Sequence, residues 1–193
     1  MASIDTYRAS IRSAIRGLWS GKLSQSDFLN AMQSAINRGL TQAWLTGAKD
    51  CSQNINDLTI EERAQLALFI VEQVSFVQRL SDDIVRSDKQ SGGLLGGLIA
   101  RADMWANVWN EVKQTAEAMC KGNDKREWIL GPTEHCKTCS GLSGRVYRFS
   151  TWLDNIVPPS HKSICRGYRC KCVLSPTTKP VTKGKFPKSL LAA

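Results

Sequence analysis

Cys136-Lys-Thr-Cys139, then Cys165, then Cys170-Lys-Cys172: five of the seven cysteines of this 193-residue chain fall within one window of 37 residues. A C-x-x-C followed about 30 residues later by a C-x-C is the spacing of a metal site built from two short turns. In a C-x-x-C turn two thiolates can converge on one ion. If 169–174 is a strand, Cys170 and Cys172 share a face, because side chains alternate with a period of two. The first-choice ligand set is Cys136, Cys139, Cys170 and Cys172. Cys165 is the reserve, and His161 or His135 could replace a sulfur. Soft thiolates in a tetrahedral set select zinc or iron–sulfur over magnesium or calcium, so structural zinc is the expected cofactor. A window of about 45 residues is too small to bury a core of its own and needs a staple.

Outward from the cluster, the local signals are those of a small β-containing module. Glu127-Trp-Ile-Leu-Gly-Pro132 reads as a short strand into a turn, and Arg145-Val-Tyr-Arg-Phe149 alternates polar and apolar residues as a strand does. Pro158-Pro159 enforces extended backbone ahead of the second cysteine group. The flanking charge is lopsided. Residues 1–120 hold 12 Lys/Arg against 13 Asp/Glu, whereas 121–193 hold 14 against 4, so the net +9 belongs to the cysteine-bearing part. A concentrated positive field favours polyanions, either nucleic acid or an acidic protein surface. Arg166, Arg169, Lys171, Lys179, Lys183, Lys185 and Lys188 are the candidate nucleic-acid contacts. The segment 175–188 is Pro-rich and basic with no acid, and its composition predicts disorder in the free chain.

The first two thirds read as helices. Ile4, Tyr7, Ile11, Ile15 and Leu18 are helically spaced over 3–19, and Phe28, Met32, Ile36, Leu40 and Trp44 over 25–46. Ser24 with Asp27, and Thr59 with Glu62, are capping pairs. The run Leu66 to Ile84 predicts one rod of about 25 residues, roughly 40 Å long. Gly92-Gly93 and Gly96-Gly97 predict a hinge. A fourth helix then carries the seam Leu98, Ala102, Trp105, Trp109, Val112, Ala116 and Met119, which suits a core or a subunit-docking face. Cys51 reads as a small packed residue. No apolar run is long enough for a transmembrane helix, so no membrane partner is expected. The polar N-terminus predicts a chain kept in a reducing cytosol, where clustered cysteines bind metal.

The expected architecture is therefore mainly α. It comprises a helical domain of about four helices at 1–121, a cysteine-rich zinc module at 122–176 and a basic tail at 177–193. Catalysis is not expected. A zinc deaminase needs H-x-E and P-C-x-x-C, but Glu134 precedes His135 and no Pro precedes Cys136. A hydrolytic zinc site keeps an open position, whereas this thiolate-rich set would be closed. A thiol oxidoreductase places its C-x-x-C at a helix start, without three more cysteines nearby.

The string Gly131-Pro-Thr-Glu-His-Cys136-Lys-Thr-Cys139-Ser-Gly-Leu-Ser-Gly144-Arg-Val-Tyr, followed by Trp152, Pro158-Pro159 and Cys165-Arg-Gly-Tyr-Arg-Cys170-Lys-Cys172, resembles the C-terminal motif of phage Mu F-like head morphogenesis proteins. These are also called minor head or minor capsid proteins of tailed phages. The resemblance covers roughly 127–176. It departs from the family pattern in a longer stretch between His161 and the C-x-C, which contains Cys165. It implies a low-copy virion protein acting in head assembly near the portal. Its partners would be portal, capsid or neck proteins in a multi-subunit assembly, with DNA contacts through the basic part. Its place would be the virion, with the host cytoplasm during assembly. The alternative is an intracellular nucleic-acid-binding zinc protein.

Overall fold

The computed structural model describes residues 3–160, 162–167 and 170–192. Seven α-helices and a three-stranded antiparallel sheet are found among them. The chain forms two compact units, 1–43 with 58–109, and 44–57 with 110–193.

The first unit is helical. α1 (Ile4–Trp19) begins on Ser3, whose side chain accepts from the Thr6 N–H. α2 (Gln25–Gly47) begins on the predicted pair, with the Asp27 N–H donating to Ser24 Oγ at 3.1 Å and the Ser24 N–H donating to Asp27 Oδ2 at 3.4 Å. These caps satisfy backbone donors that the first turn leaves free. Tyr7, Ile11 and Ile15 of α1 are buried, as are Phe28, Met32, Ile36 and Leu40 of α2. Each such side chain contributes on the order of 1.5–3 kcal/mol. Burial without a partner for its hydroxyl pushes the Tyr7 phenol well above its ordinary range.

The predicted 25-residue rod is two helices. α3 (Ile60–Ser75) starts with the complete Thr59/Glu62 capping box and ends at Phe76, from which α4 (Val77–Arg86) sets out. The break redistributes the apolar stripe. α4 buries Val77, Leu80 and Ile84, while α3 fully buries only Leu66 of its large apolar residues and exposes Ile60, Leu68 and Val71. Interrupting the rod lets α4 follow α1, against which it packs. The glycine-rich stretch is also shorter as a turn than expected. α5 (Leu95–Cys120) already contains Gly96 and Gly97, leaving 87–94 as the connection. The predicted seam of α5 is buried from Leu98 to Ala116, so Trp105 and Trp109 are core residues, and Met119 is half-buried.

The second unit comprises the end of α2, the loop to Asp57, the second half of α5 and everything after it. Its sheet has the order β2–β1–β3, with β1 (Lys125–Ile129) central, β2 (Val146–Arg148) and β3 (Val173–Pro176). Arg126 faces Tyr147 and Pro176, and Trp128 faces Leu174. The short helices α6 (Lys137–Leu142) and α7 (Phe149–Asn155) flank β2 in sequence. The core gathers Trp128, Leu142, Tyr147, Phe149, Trp152 and Leu174 around three of the cysteines. Ala118 of α5 and the tail residues Phe186, Leu190 and Leu191 also belong to or pack on this core, so it is built from more of the chain than the cysteine window alone. Trp152 packs edge-on to Tyr147 at 5.1 Å, and its indole N–H donates to the Arg126 carbonyl at 3.0 Å.

The tail is not a free strand of composition-driven disorder. Phe186 packs on Tyr147 and Trp152, and Leu190 and Leu191 pack on the same core. Thr182 exchanges two hydrogen bonds of 2.8 Å with Val146, and the 3-10 turn at Lys188–Leu190 is held by Thr138. Three apolar anchors outweigh the local polarity that predicts disorder.

Candidate metal centre

Each thiol of the cluster is positioned by a different local device. Cys136 is the residue from which α6 starts, and Cys139 lies one turn inside it. The C-x-x-C therefore does sit at a helix start, but that six-residue helix does not directly follow a strand, since β1 ends at Ile129. The three other cysteines beside it remain the counter-argument to thiol chemistry. Cys165 is held by a buried hydroxyl network. Ser163 Oγ donates to the Ser160 carbonyl at 2.6 Å, accepts from the Gly167 N–H at 3.1 Å and lies 3.3 Å from Cys165 Sγ. Thr138, inside the C-x-x-C, donates to the Leu190 carbonyl at 2.6 Å and accepts from the Ile164 N–H at 3.1 Å. One hydroxyl thus joins α6, the tail and the Cys165 loop.

Cys170 and Cys172 precede β3 rather than lying within it, so they are not presented by strand alternation. Both are nevertheless buried. Close apposition does the work instead. A Cβ on Gly131 would stand 2.6 Å from Lys171 Cβ and closer still to its carbonyl, so only glycine lets the Gly131 turn lie against the C-x-C segment. The Gly131 backbone in turn hydrogen-bonds Cys172.

The thiols converge. Cys136 and Cys139 Sγ are 3.7 Å apart, and Cys139 and Cys170 Sγ are 3.9 Å apart. A tetrahedral zinc with bonds of about 2.3 Å sets sulfurs on edges of about 3.8 Å, so these pairs fit. Cys136, Cys139 and Cys165 form one group with all sulfurs within 4.8 Å of one another, and Cys139, Cys170 and Cys172 form a second. Both groups could hold a metal ion. Cys139 belongs to both. Among the described residues no four thiols close within that distance, so the predicted quartet is split between the groups and the reserve Cys165 takes a full place in one.

The protons are unequally shared. The Cys139 thiol beside Cys170 pushes the latter down to about 6, whereas that same neighbour, together with burial, pushes Cys139 far up. Burial opposes ionisation of Cys136, but the backbone N–H groups and thiols of Cys139 and Cys165 together outweigh it and bring that thiol down to about 7. Burial raises Cys165 and Cys172. Each group therefore carries one thiol that ionises more readily than the others, and a cation bound there would release protons from the rest. His135 is near enough for its charge to favour the Cys170 thiolate.

Of the candidate nucleic-acid contacts, Arg166, Lys171, Lys183, Lys185 and Lys188 are exposed, while Lys179 pairs with the buried Glu127 at 2.7 Å. His161 and Arg169 lie outside the described residues. Sequence reasoning missed the partner of Cys51, which forms a disulfide with Cys120 across 69 residues. It also missed Thr138 and Ser163, since nothing in a hydroxyl's spacing marks it as a brace. Among the described residues no helix is long and apolar enough to cross a membrane. The chain matches no family model, no curated protein and no solved structure.

Proposed function

We propose that the second unit is a zinc-stapled structural module and that the chain is a non-enzymatic virion protein of a tailed phage, a minor head or head morphogenesis protein working near the portal. The observation that carries the metal reading is the pair of sulfur separations, 3.7 and 3.9 Å, at the edge length of a zinc–thiolate tetrahedron. The thiols sit in a hydrophobic core, where a bound ion ties the α6 start to the C-x-C segment. The virion setting is supported by the ordered motif from Gly131 to Cys172, with its C-x-x-C, Pro-Pro and C-x-C in sequence. Exposed Leu68 and Val71, one turn apart on α3, are the kind of surface that an assembly covers.

Stoichiometric recovery of the chain in purified phage heads tests the virion role, and its absence from particles overturns it. The exposed basic residues of the module favour a second reading, a nucleic-acid-binding zinc protein. Binding to free DNA that weakens steeply with salt, together with absence from heads, selects that reading, because neutralised phosphates release counterions.

A further inference from the structure

We propose that the five thiols form a two-ion cluster in which Cys139 Sγ bridges two zinc ions, one completed by Cys136 and Cys165 and the other by Cys170 and Cys172. The inference rests on the reading that these thiols hold zinc, and it deepens that reading.

A single all-thiolate zinc site needs four sulfurs, each about 3.8 Å from the other three, and a three-thiolate site closed by an imidazole would use only one of the two triads and leave two thiols over. The structure offers instead two triads with one shared member, and no quartet that closes within 4.8 Å among the described residues. Cys139 stands between them, 3.7 Å from Cys136 on one side and 3.9 Å from Cys170 on the other. A thiolate sulfur has lone pairs for two metal bonds, so a central thiolate can serve both ions. Cys165 is not a bystander. The Ser163 network and the Thr138 brace on Ile164 fix its loop beside Cys136.

Charge supports the same count. Five thiolates around one divalent ion would bury a large negative excess, and four would leave a fifth thiol without a role. Five thiolates with two divalent ions leave a single net negative charge, less than five or four thiolates around one ion would leave in a core of low dielectric. Each ion then has three sulfurs and takes its fourth ligand from an imidazole or water. On binding, each protonated thiol exchanges its S–H for an S–Zn bond and gives its proton to solvent.

The test is the zinc content of the full chain, purified under mild reduction, dialysed against metal-free buffer and weighed by native mass spectrometry. About two zinc ions per chain are expected, with Cys165→Ser retaining about one and Cys51→Ser retaining both. Cadmium-113 spectra of the cadmium-loaded wild-type chain give an independent count if Cys165→Ser does not fold, with two resonances expected. One ion in the wild-type chain, or one resonance, overturns the two-ion cluster and leaves a single-ion centre standing. No bound zinc overturns both.

Discussion

Arg126 carries a positive charge into the core of the second unit, where its side chain is only 4% exposed. Three groups compensate it: Glu117 at 2.8 Å, Asp124 at 3.8 Å and the Phe149 ring at 4.5 Å from the guanidinium carbon. Removing one partner of a buried pair leaves the other uncompensated. Arg126→Ala should therefore destabilise the unit by roughly 3 kcal/mol, and Arg126→Lys by less, in urea titrations followed by tryptophan fluorescence. An unchanged midpoint for Arg126→Ala would show that the pair is not holding the unit. At Gly131 the constraint is steric. Gly131→Ala should weaken metal retention in a chelator competition, because the added methyl pushes away the segment that bears Cys170 and Cys172. Cysteine spacing made the thiol cluster legible, since C-x-x-C and C-x-C advertise themselves. Arg126, Gly131, Thr138 and Ser163 were not legible in these roles. Their work depends on which segments meet in space, and no local pattern encodes that.

At the scale of elements, α1 and α2 approach closely at Gly39, where any Cβ would collide with the Tyr7 ring. Alanine normally favours a helix over glycine by about 1 kcal/mol. Gly39→Ala should do the opposite and cost about 1–3 kcal/mol by overpacking, whereas Gly97→Ala in α5, with nothing within 4 Å, should be neutral to stabilising. Equal effects at the two sites would contradict the packing. α4 and α5 are tied by Asp83, which accepts from Arg101 at 2.6 Å and also pairs with Arg86. The Arg101 bond first, and then that of Arg86, holds the Asp83 carboxyl below its ordinary range. A depressed acid stabilises the fold above its unfolded pKa and loses that contribution as pH falls through the folded one. Asp83→Asn should thus lower the melting temperature at neutral pH, and the gap from wild type should close in acid. A gap that persists when carboxylates are protonated would rule out the ion pairs as its cause. Apolar periodicity marked α1, α2 and α5 closely, and the capping pairs marked the starts of α2 and α3. The break at Phe76 was not legible, because the apolar rhythm of Leu66 to Ile84 runs through it and only packing on α1 distinguishes one rod from two. The tail was misread for a related reason. Its composition is polar on average, and Phe186, Leu190 and Leu191 act as single anchors rather than as a pattern.

For the molecule as a whole, a disulfide and a cluster of free thiols fall in the second unit. The Cys51–Cys120 disulfide joins the loop after α2 to the end of α5, and the thiol cluster brings α6 beside the segment before β3. They should be separable. Removal of the disulfide in Cys51→Ser should leave the metal content intact, and a zinc chelator should lower the unfolding midpoint of the wild-type chain without releasing the disulfide. The aromatic core around Trp128 and Trp152 means that chelation should loosen this unit rather than abolish its secondary structure. The lopsided charge was legible at this scale. The two-unit division, with 44–57 joining the C-terminal part, was not, since it depends on long-range contacts. The central claim is that the clustered cysteines are metal ligands. X-ray absorption at the zinc edge of the purified, reduced chain tests it most directly. The account predicts a zinc shell dominated by sulfur at about 2.3 Å. A shell of oxygen and nitrogen alone, or no zinc in the protein, would contradict it.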